Sequence, residues 1–301
     1  MSVVENRYDF VYLFDCQDGN PNGDPDADNS PRFDPETFQG LVSDVCLKRK
    51  IRDYVYQRSQ QNGSVRKGYD VFVLAGNTLE SRQRQPYEDP ENKITPQGSK
   101  TKQSDIDVAR DWMCKHFFDV RAFGAVMSTT EFNCGQVRGP VQLTFARSID
   151  RVFTTEHTIS RQAFTGEKDI KPGATGTFGR KHTVAYGLYK AQGFINPVFA
   201  RKTGFNEEDL ALLWSALENM FDIDRSAARG AMAARGLYVF KHESALGEAP
   251  AHKLFDQIQV KLSEGVVSPR SFTDYVITAP ESVSLPKGIE LLTPFALPLA
   301  A

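Results

Sequence analysis

The run Tyr8-Asp9-Phe10-Val11-Tyr12-Leu13-Phe14 is almost wholly aromatic or branched, the pattern of a buried strand. It leads into Asp18-Gly19-Asn20-Pro21-Asn22-Gly23-Asp24-Pro25, dense in turn-forming residues. The period then changes, and a helix is expected over about 40–57. At 100° per residue, Leu47, Ile51, Tyr54 and Val55 share one face, while Lys48, Arg49 and Arg52 cluster on another. Residues 70–75 (Asp-Val-Phe-Val-Leu-Ala) suggest a second strand. Residues 80–103 are polar and broken by Pro86, Pro90, Pro96 and Gly98, which suits a surface insertion. Ser104-x-x-Asp107 opens a further helix by capping-box logic, with Ala109, Trp112, Met113, His116 and Phe117 in helical period. Strands are expected near 120–127 and 137–149, the second alternating Val141, Leu143, Phe145 against Gln142 and Thr144. Residues 150–180 are basic, contain glycine and lack helical period, as a long hairpin projecting from a sheet would. A strand near 182–194 precedes an acid-opened helix, Asn206-Glu207-Glu208-Asp209 before Leu210, Leu213, Trp214, Leu217 and Phe221. Strands near 236–241 and 255–262 complete the regular part, and a proline-bearing tail suits extended chain. Two amphipathic helices among these strands predict an α+β fold with a ferredoxin-like core, also the core of the RNA-recognition motif. That core alone names no function.

Composition narrows the classes. With 301 residues, 40% of them hydrophobic and 21 of them Phe, the chain can build a large core, as one domain (1–301) carrying insertions. No apolar run is long enough for a membrane-spanning helix. Met1-Ser2-Val3-Val4-Glu5 lacks the charged and apolar regions of a signal peptide, so a cytoplasmic protein is expected. Cys16, Cys46, Cys114 and Cys134 form no close pair, and the histidines supply no metal-ligand spacing. Reduced thiols, no metal and no cofactor are the expectation.

Charge changes the picture only when read by position. The total, 36 Lys+Arg against 38 Asp+Glu, speaks against a nucleic-acid binder. Yet residues 1–36 hold nine acids against Arg7 and Arg32, a net of −7. Residues 138–202 hold eleven bases against four acids, a net of +7. From 203 onward thirteen acids face eight bases, a net of −5. A chain so polarised can offer a basic groove to a polyanion while its acids lie elsewhere, although solvated surfaces would carry the same charges.

Several residue groups carry candidate chemistry. Asp24-x-Asp26-x-Asp28 invites a calcium loop, but Asn29 stands where the sharp turn needs Gly and Pro35 where a bidentate Glu belongs. The same loop offers backbone amides and the side chains of Asn20 and Asn22 to phosphate or sugar, or is a plain strand-to-helix connection. Lys48, Arg49 and Arg52 can track a phosphate backbone, or form a ladder that begins with Asp44–Lys48. His182 beside Arg180 and Lys181 is the histidine in a basic neighbourhood, and one imidazole is not a mechanism. No nucleophile elbow, phosphate-binding glycine loop or HExxH is present, which makes catalysis the weaker reading.

These residues also carry a resemblance. Asn6-Arg7-Tyr8-Asp9-Phe10 running into Asp18-Gly19-Asn20-Pro21-Asn22-Gly23-Asp24-Pro25-Asp26, and Gly40-Leu41-Val42-Ser43-Asp44-Val45-Cys46-Leu47-Lys48-Arg49-Lys50-Ile51-Arg52, resemble the CRISPR-associated backbone subunit of the Cas-seven family, a RAMP-superfamily group. The type I-C form is the nearest match. Gly135-Gln136-Val137-Arg138-Gly139-Pro140-Val141-Gln142 and His182-Thr183-Val184-Ala185-Tyr186-Gly187-Leu188-Tyr189 agree, so the likeness covers essentially the whole chain. It implies a subunit of the Cascade surveillance complex, stacked head to tail with copies of itself along CRISPR RNA. Target DNA then pairs with the guide, and a separate helicase-nuclease recruited by the complex cuts it; other Cascade subunits complete the assembly. It implies a modified RNA-recognition palm, fingers that include 80–103, and a thumb hairpin at 150–180. Carried over residue by residue, it implies RNA contacts from Asn20, Asn22, Ser43, Lys48, Arg49, Arg52 and Arg138, with Met127 as a base contact and Phe164 as a thumb-tip wedge. Arg180, Lys181 and His182 join this set from the basic stretch. Related type III subunits cleave RNA with a loop Asp, so an endoribonuclease is the alternative, with Asp24, Asp26 and Asp28 unassigned.

Overall fold

The computed structural model describes residues 2–128, 131–161, 163, 166, 168 and 177–295. From the N-terminus, β1 (Tyr8–Gly19) is followed by a ribbon of β2 (Gly23–Asp24) with β3 (Ser30–Pro31), then β4 (Gln39–Val42) and α1 (Asp44–Arg58). A second ribbon, β5 (Gln60–Gln61) with β6 (Ser64–Val65), leads to α2 (Leu79–Glu88), α3 (Gln103–His116) and short α4 (Phe118–Phe123). A hairpin of β7 (Gly124–Val126) and β8 (Gln136–Arg138) precedes β9 (Val141–Leu143), β10 (Ala146–Arg151), β11 (Thr154–Arg161) and the long β12 (Thr177–Ile195). The remainder is α5 (Pro197–Thr203), α6 (Glu207–Ile223), β13 (Ala231–His242), α7 (Ala251–Phe255), β14 (Gln259–Leu262), β15 (Tyr275–Thr278) and β16 (Ile289–Leu292).

The main sheet runs β16-β13-β1-β12-β10-β4, with β9 and β11 also paired to β12, and every pairing is antiparallel. β1 lies between β13 and β12, so neither of its edges is free, and over Tyr8–Cys16 neither of its faces is wet. Phe10, Tyr12 and Phe14 point into a core closed by Leu47, Ile51 and Val55 of α1 and Leu213, Leu217 and Phe221 of α6. Val11 and Leu13 point the other way, onto Leu254, Phe255 and Ile258. A strand buried on both faces reads as one continuous apolar run, which is why Tyr8–Phe14 announces itself. β12 is long enough to pair with β1 from Ile195 back to Val184 and to overlap β11 from Val184 to Thr177. β11 and the first residues of β12 thus stand out as a hairpin, every residue of β11 being exposed.

Capping fixes the helix starts. Ser43 Oγ accepts the Cys46 N–H at 3.3 Å to begin α1. Asn206 and Asp209 form a reciprocal box at α6, as the acid-rich opening predicts. The expected box at Ser104 does not form: α3 begins at Gln103, and Ser104 Oγ instead donates to Asp105 at 3.1 Å. Residues 70–75 hold no strand beyond a single bridge from Asp70 to Phe117. Asp119 explains this, accepting the backbone N–H groups of Phe72 at 2.7 Å and Val73 at 3.1 Å where a ladder would otherwise form. Residues 120–127 open as helix before reaching β7. Within 80–103, α2 buries Gln83 and Pro86, and Tyr87 and Ile94 pack on a second core of Phe72, Met113, Phe117, Val120 and Met127. This stretch looks polar because a small core needs few apolar residues. Among the described residues no helix is long and apolar enough to cross a membrane.

Candidate nucleic-acid interface

The C-terminal end of β1, the N-terminus of α1 and the root of the β11–β12 hairpin meet in one region, where many of the candidate residues lie. Asn22 Oδ1 accepts both the N–H and the hydroxyl of Ser43 at 2.9 Å, so the loop is laced to the helix cap. Asn20 is buried; its Nδ2 donates to Asn29 O at 2.6 Å and its Oδ1 has no partner. Asn20, Asn22 and Ser43 therefore brace the loop as well as line it. On the next turn Lys48 donates to Asp44 at 3.0 Å, and the exposed Arg49 pairs with Asp53 at 2.8 Å. Arg52 turns inward to Asp119 at 2.8 Å, a carboxylate only 1% exposed. The ladder foreseen from Asp44 is thus present, and the basic stripe divides into one exposed cation, Arg49, and two largely covered ones, Lys48 and Arg52. Lys50, unflagged by the sequence, is buried and ion-paired with Asp224.

The Phe123 ring faces this stripe, and the Phe123 backbone meets β8 at Gly139, next to Arg138. The ring lies 5.8 Å from the Lys48 ammonium and 5.3 Å from the Arg52 guanidinium. Gly139 passes so close that a Cβ there would sit 2.3 Å from the Phe123 carbonyl carbon, so only glycine lets β8 approach α4. Arg138 is consequently set beside the stripe, exposed, with its guanidinium 4.5 Å from the Phe199 ring centre. On the hairpin side, Arg180 reaches Glu156 at 3.3 Å while remaining 67% exposed. Lys181 is half-buried opposite His157. His182 Nε2 lies 3.5 Å from Asp28 Oδ2 without a hydrogen bond, which places the Asp loop against the hairpin root.

Met127 lies elsewhere. Its side chain is fully buried in the second core, and its carbonyl accepts from Gln83 at 2.5 Å. Phe164 lies outside the described residues. Asp119, Phe123 and Phe199 organise the cations yet carry no motif that a single sequence could expose. A further tie, Arg147 to Asp34 at 2.8 Å, holds the turn before β4 against β10. The Arg147 hydrogen bond, then the amides of Glu36 and Thr37, hold the Asp34 carboxyl below its ordinary range. All four cysteines are free, and burial pushes the Cys16 and Cys134 thiols up to about 12. Among the described residues no group of three or more His, Cys, Asp or Glu stands in a metal-holding arrangement.

The mixed α+β fold around a large antiparallel sheet is shared with a chain of a solved CRISPR RNA-guided complex. One chain of a solved "CRISPR RNA-guided surveillance complex, pre-nicking" overlays with a TM-score of 0.50 at 13% identity, covering 78% of each chain. At that identity the likeness is one of fold. The family model described as CRISPR-associated protein Cas7 matches residues 6–280, and the chain belongs to that family. A relative from Haloferax volcanii, also described as CRISPR-associated protein Cas7, is 26% identical over 235 residues. That alignment takes in 71% of this chain and spans 65% of the relative's length.

Proposed function

We propose that this chain is a non-catalytic, repeating backbone subunit of a type I-C Cascade complex, holding CRISPR RNA for pairing with target DNA. Membership of the Cas7 family over residues 6–280 carries the reading. The path β13-β1-β12-β10, with α1 between β1 and β10 in sequence and α6 between β12 and β13, supports a ferredoxin-like palm. The second core around α2 and α3 takes the part of the fingers, and the β11–β12 hairpin that of the thumb. Guide RNA follows the strip from Arg180, Lys181 and His182 past Asn22, Ser43, Lys48 and Arg49 to Arg138. Contacts of this kind grip phosphate without reading bases, leaving sequence to base pairing. Half-exposed Arg49 gives up Asp53 for phosphate, an exchange that exposed ion pairs permit at little cost, while the more covered Lys48 has to turn outward from Asp44 to do the same.

The test is RNA binding against salt concentration for Lys48→Glu and Arg49→Glu, alone and together. Affinity should fall for every guide sequence, and the salt slope should flatten by about one for each phosphate no longer held. An unchanged slope would remove the helix from the interface. Arg52 is unsuitable here, because altering it strands the buried Asp119 and tests folding instead. The proximity of His182 to Asp28 keeps one alternative measurable, cleavage of guide or target RNA. RNA cut by the purified protein, and spared by His182→Ala, would replace the non-catalytic reading.

A further inference from the structure

The face of the main sheet turned away from α1 carries two cations where a strand ladder disfavours them. Arg147 of β10 and Lys190 of β12 are direct antiparallel partners, so their side chains leave the sheet on the same side, and like charges so placed repel. Their neighbours Ala146, Tyr189 and Ala191 point into the core under α1, which puts both cations on the opposite face. There they line a cavity of about 500 Å³ with Thr144, Phe145, Ile149 and Gln192, and no residue of its wall is Asp or Glu. Lys190 donates to Ile258 O at 2.9 Å and to Phe255 O at 3.3 Å, which leaves one ammonium proton. Burial holds that ammonium below its ordinary value, and the charge of Asp256 restores only part of the difference. Arg147 gives one nitrogen to Asp34 at 2.8 Å and stays half-exposed, with the rest of its guanidinium unspent. Beside it the Phe145 ring is 54% exposed.

We propose that this cavity binds a carboxylate carried on an apolar body, the carboxylate held between Arg147 and Lys190 and the body laid against Phe145 and Ile149. One anion placed there relieves the repulsion between the two cations and gives the half-buried ammonium the counter-charge that the wall lacks. One ammonium proton, one partly spent guanidinium and the Gln192 carboxamide match the two oxygens of a carboxylate better than the three of a phosphate. The volume lies within the range of small-molecule pockets. Lys190 stands eight residues along β12 from His182, about 26 Å of extended strand, so the site is separate from the proposed guide strip and does not depend on it. The carboxylate can belong to a free small acid or to the end of a peptide, since the recognising chemistry is the same.

Titration calorimetry of the full chain with phenylacetate should show saturable binding at one site per chain. Arg147→Gln and Lys190→Gln should each weaken it by about tenfold, the loss of one hydrogen bond between charged groups; the glutamine at 190 keeps a donor for the carbonyls of Phe255 and Ile258. Asp34→Asn, which frees the whole Arg147 guanidinium, should instead tighten binding by about two- to fivefold, a gain that a misfolded variant would not show. Phe145→Ala should weaken phenylacetate and leave acetate unchanged. The peptide N-acetyl-Ala-Ala-Phe identifies a chain end as the source if it binds more tightly than phenylacetate and loses that affinity on amidation; phenylacetate binding at least as tightly identifies a free acid. The proposal is overturned by no saturable binding, by binding that Arg147→Gln and Lys190→Gln both leave unchanged, or by inorganic phosphate displacing phenylacetate at a lower concentration than acetate does.

Discussion

At the scale of the residue, like charges on one helix do unlike work. Arg49 is half-exposed and its partner Asp53 shares the same helix face, so Arg49→Gln should change stability by no more than about 0.5 kcal/mol. Arg52 is 12% exposed and its partner Asp119 also holds two backbone amides, so Arg52→Gln leaves an uncompensated buried charge and should cost about 3–5 kcal/mol. Urea unfolding of the two variants checks the contrast, and equal losses would refute it. Phe38 presents a different case. It sits at φ +60°, a left-handed conformation that aromatic residues seldom adopt, and its half-exposed ring stacks on Phe33 at 6.1 Å. Phe38→Asn keeps that conformation at less strain and should retain or raise stability by up to about 1 kcal/mol, whereas Phe38→Val should lower it by more than that. A stabilised Val variant in the same unfolding assay would show that no strain is stored there.

At the scale of the element, legibility followed burial and local chemistry. β1 was readable because both of its faces are covered, and α6 because its cap and its apolar stripe are written within one segment. The apolar face Leu47, Ile51, Tyr54 and Val55 of α1 was readable for the same reason, while the buried Lys50 was not, since its partner Asp224 lies far along the chain. The non-strand at 70–75 was illegible because Asp119 takes its amides from a distant segment. For the candidate site, residue types and the loop-to-helix proximity of Asn22 and Ser43 were legible; the partition of cations by Asp119, Phe123 and Phe199 was not. The turn at Asp34 gives this scale its prediction. Arg147 and two amides hold the Asp34 carboxyl below its ordinary value of 3.8, so the contribution to stability is complete above that value and is lost as pH falls through the lowered one. Asp34→Asn should remove that part of the acid limb, giving a shallower fall of Tm below about pH 4 than the parent shows. Identical acid limbs would mean that the tie contributes nothing.

At the scale of the whole molecule, the near-zero sum of charge conceals an arrangement. The acidic N-terminal stretch is partly consumed inside the fold, since Asp9 pairs with Arg7 and His242, and Asp15 with Arg235. Asp18, Asp26, Asp28 and Glu36 remain exposed, and Asp28 meets the basic hairpin root at His182. One copy therefore offers negative charge close to its own cations, which on the proposed function limits how tightly a lone subunit would hold RNA. For the proposed repeating subunit, tight binding then comes from many copies on one strand, each contributing a modest contact, with the effective concentration of neighbours supplying the rest. Contacts that join one face of a copy to a different face of the next need not close into a ring, so the assembly should lengthen with its RNA. Mass measured by light scattering on RNAs of increasing length should rise in even steps, with affinity per copy increasing from the first step to the second. Raising salt should dissociate short assemblies before long ones, because each added copy brings both phosphate contacts and a protein neighbour. A mass that stays at one copy whatever the RNA length would refute the repeating subunit while leaving RNA binding itself intact.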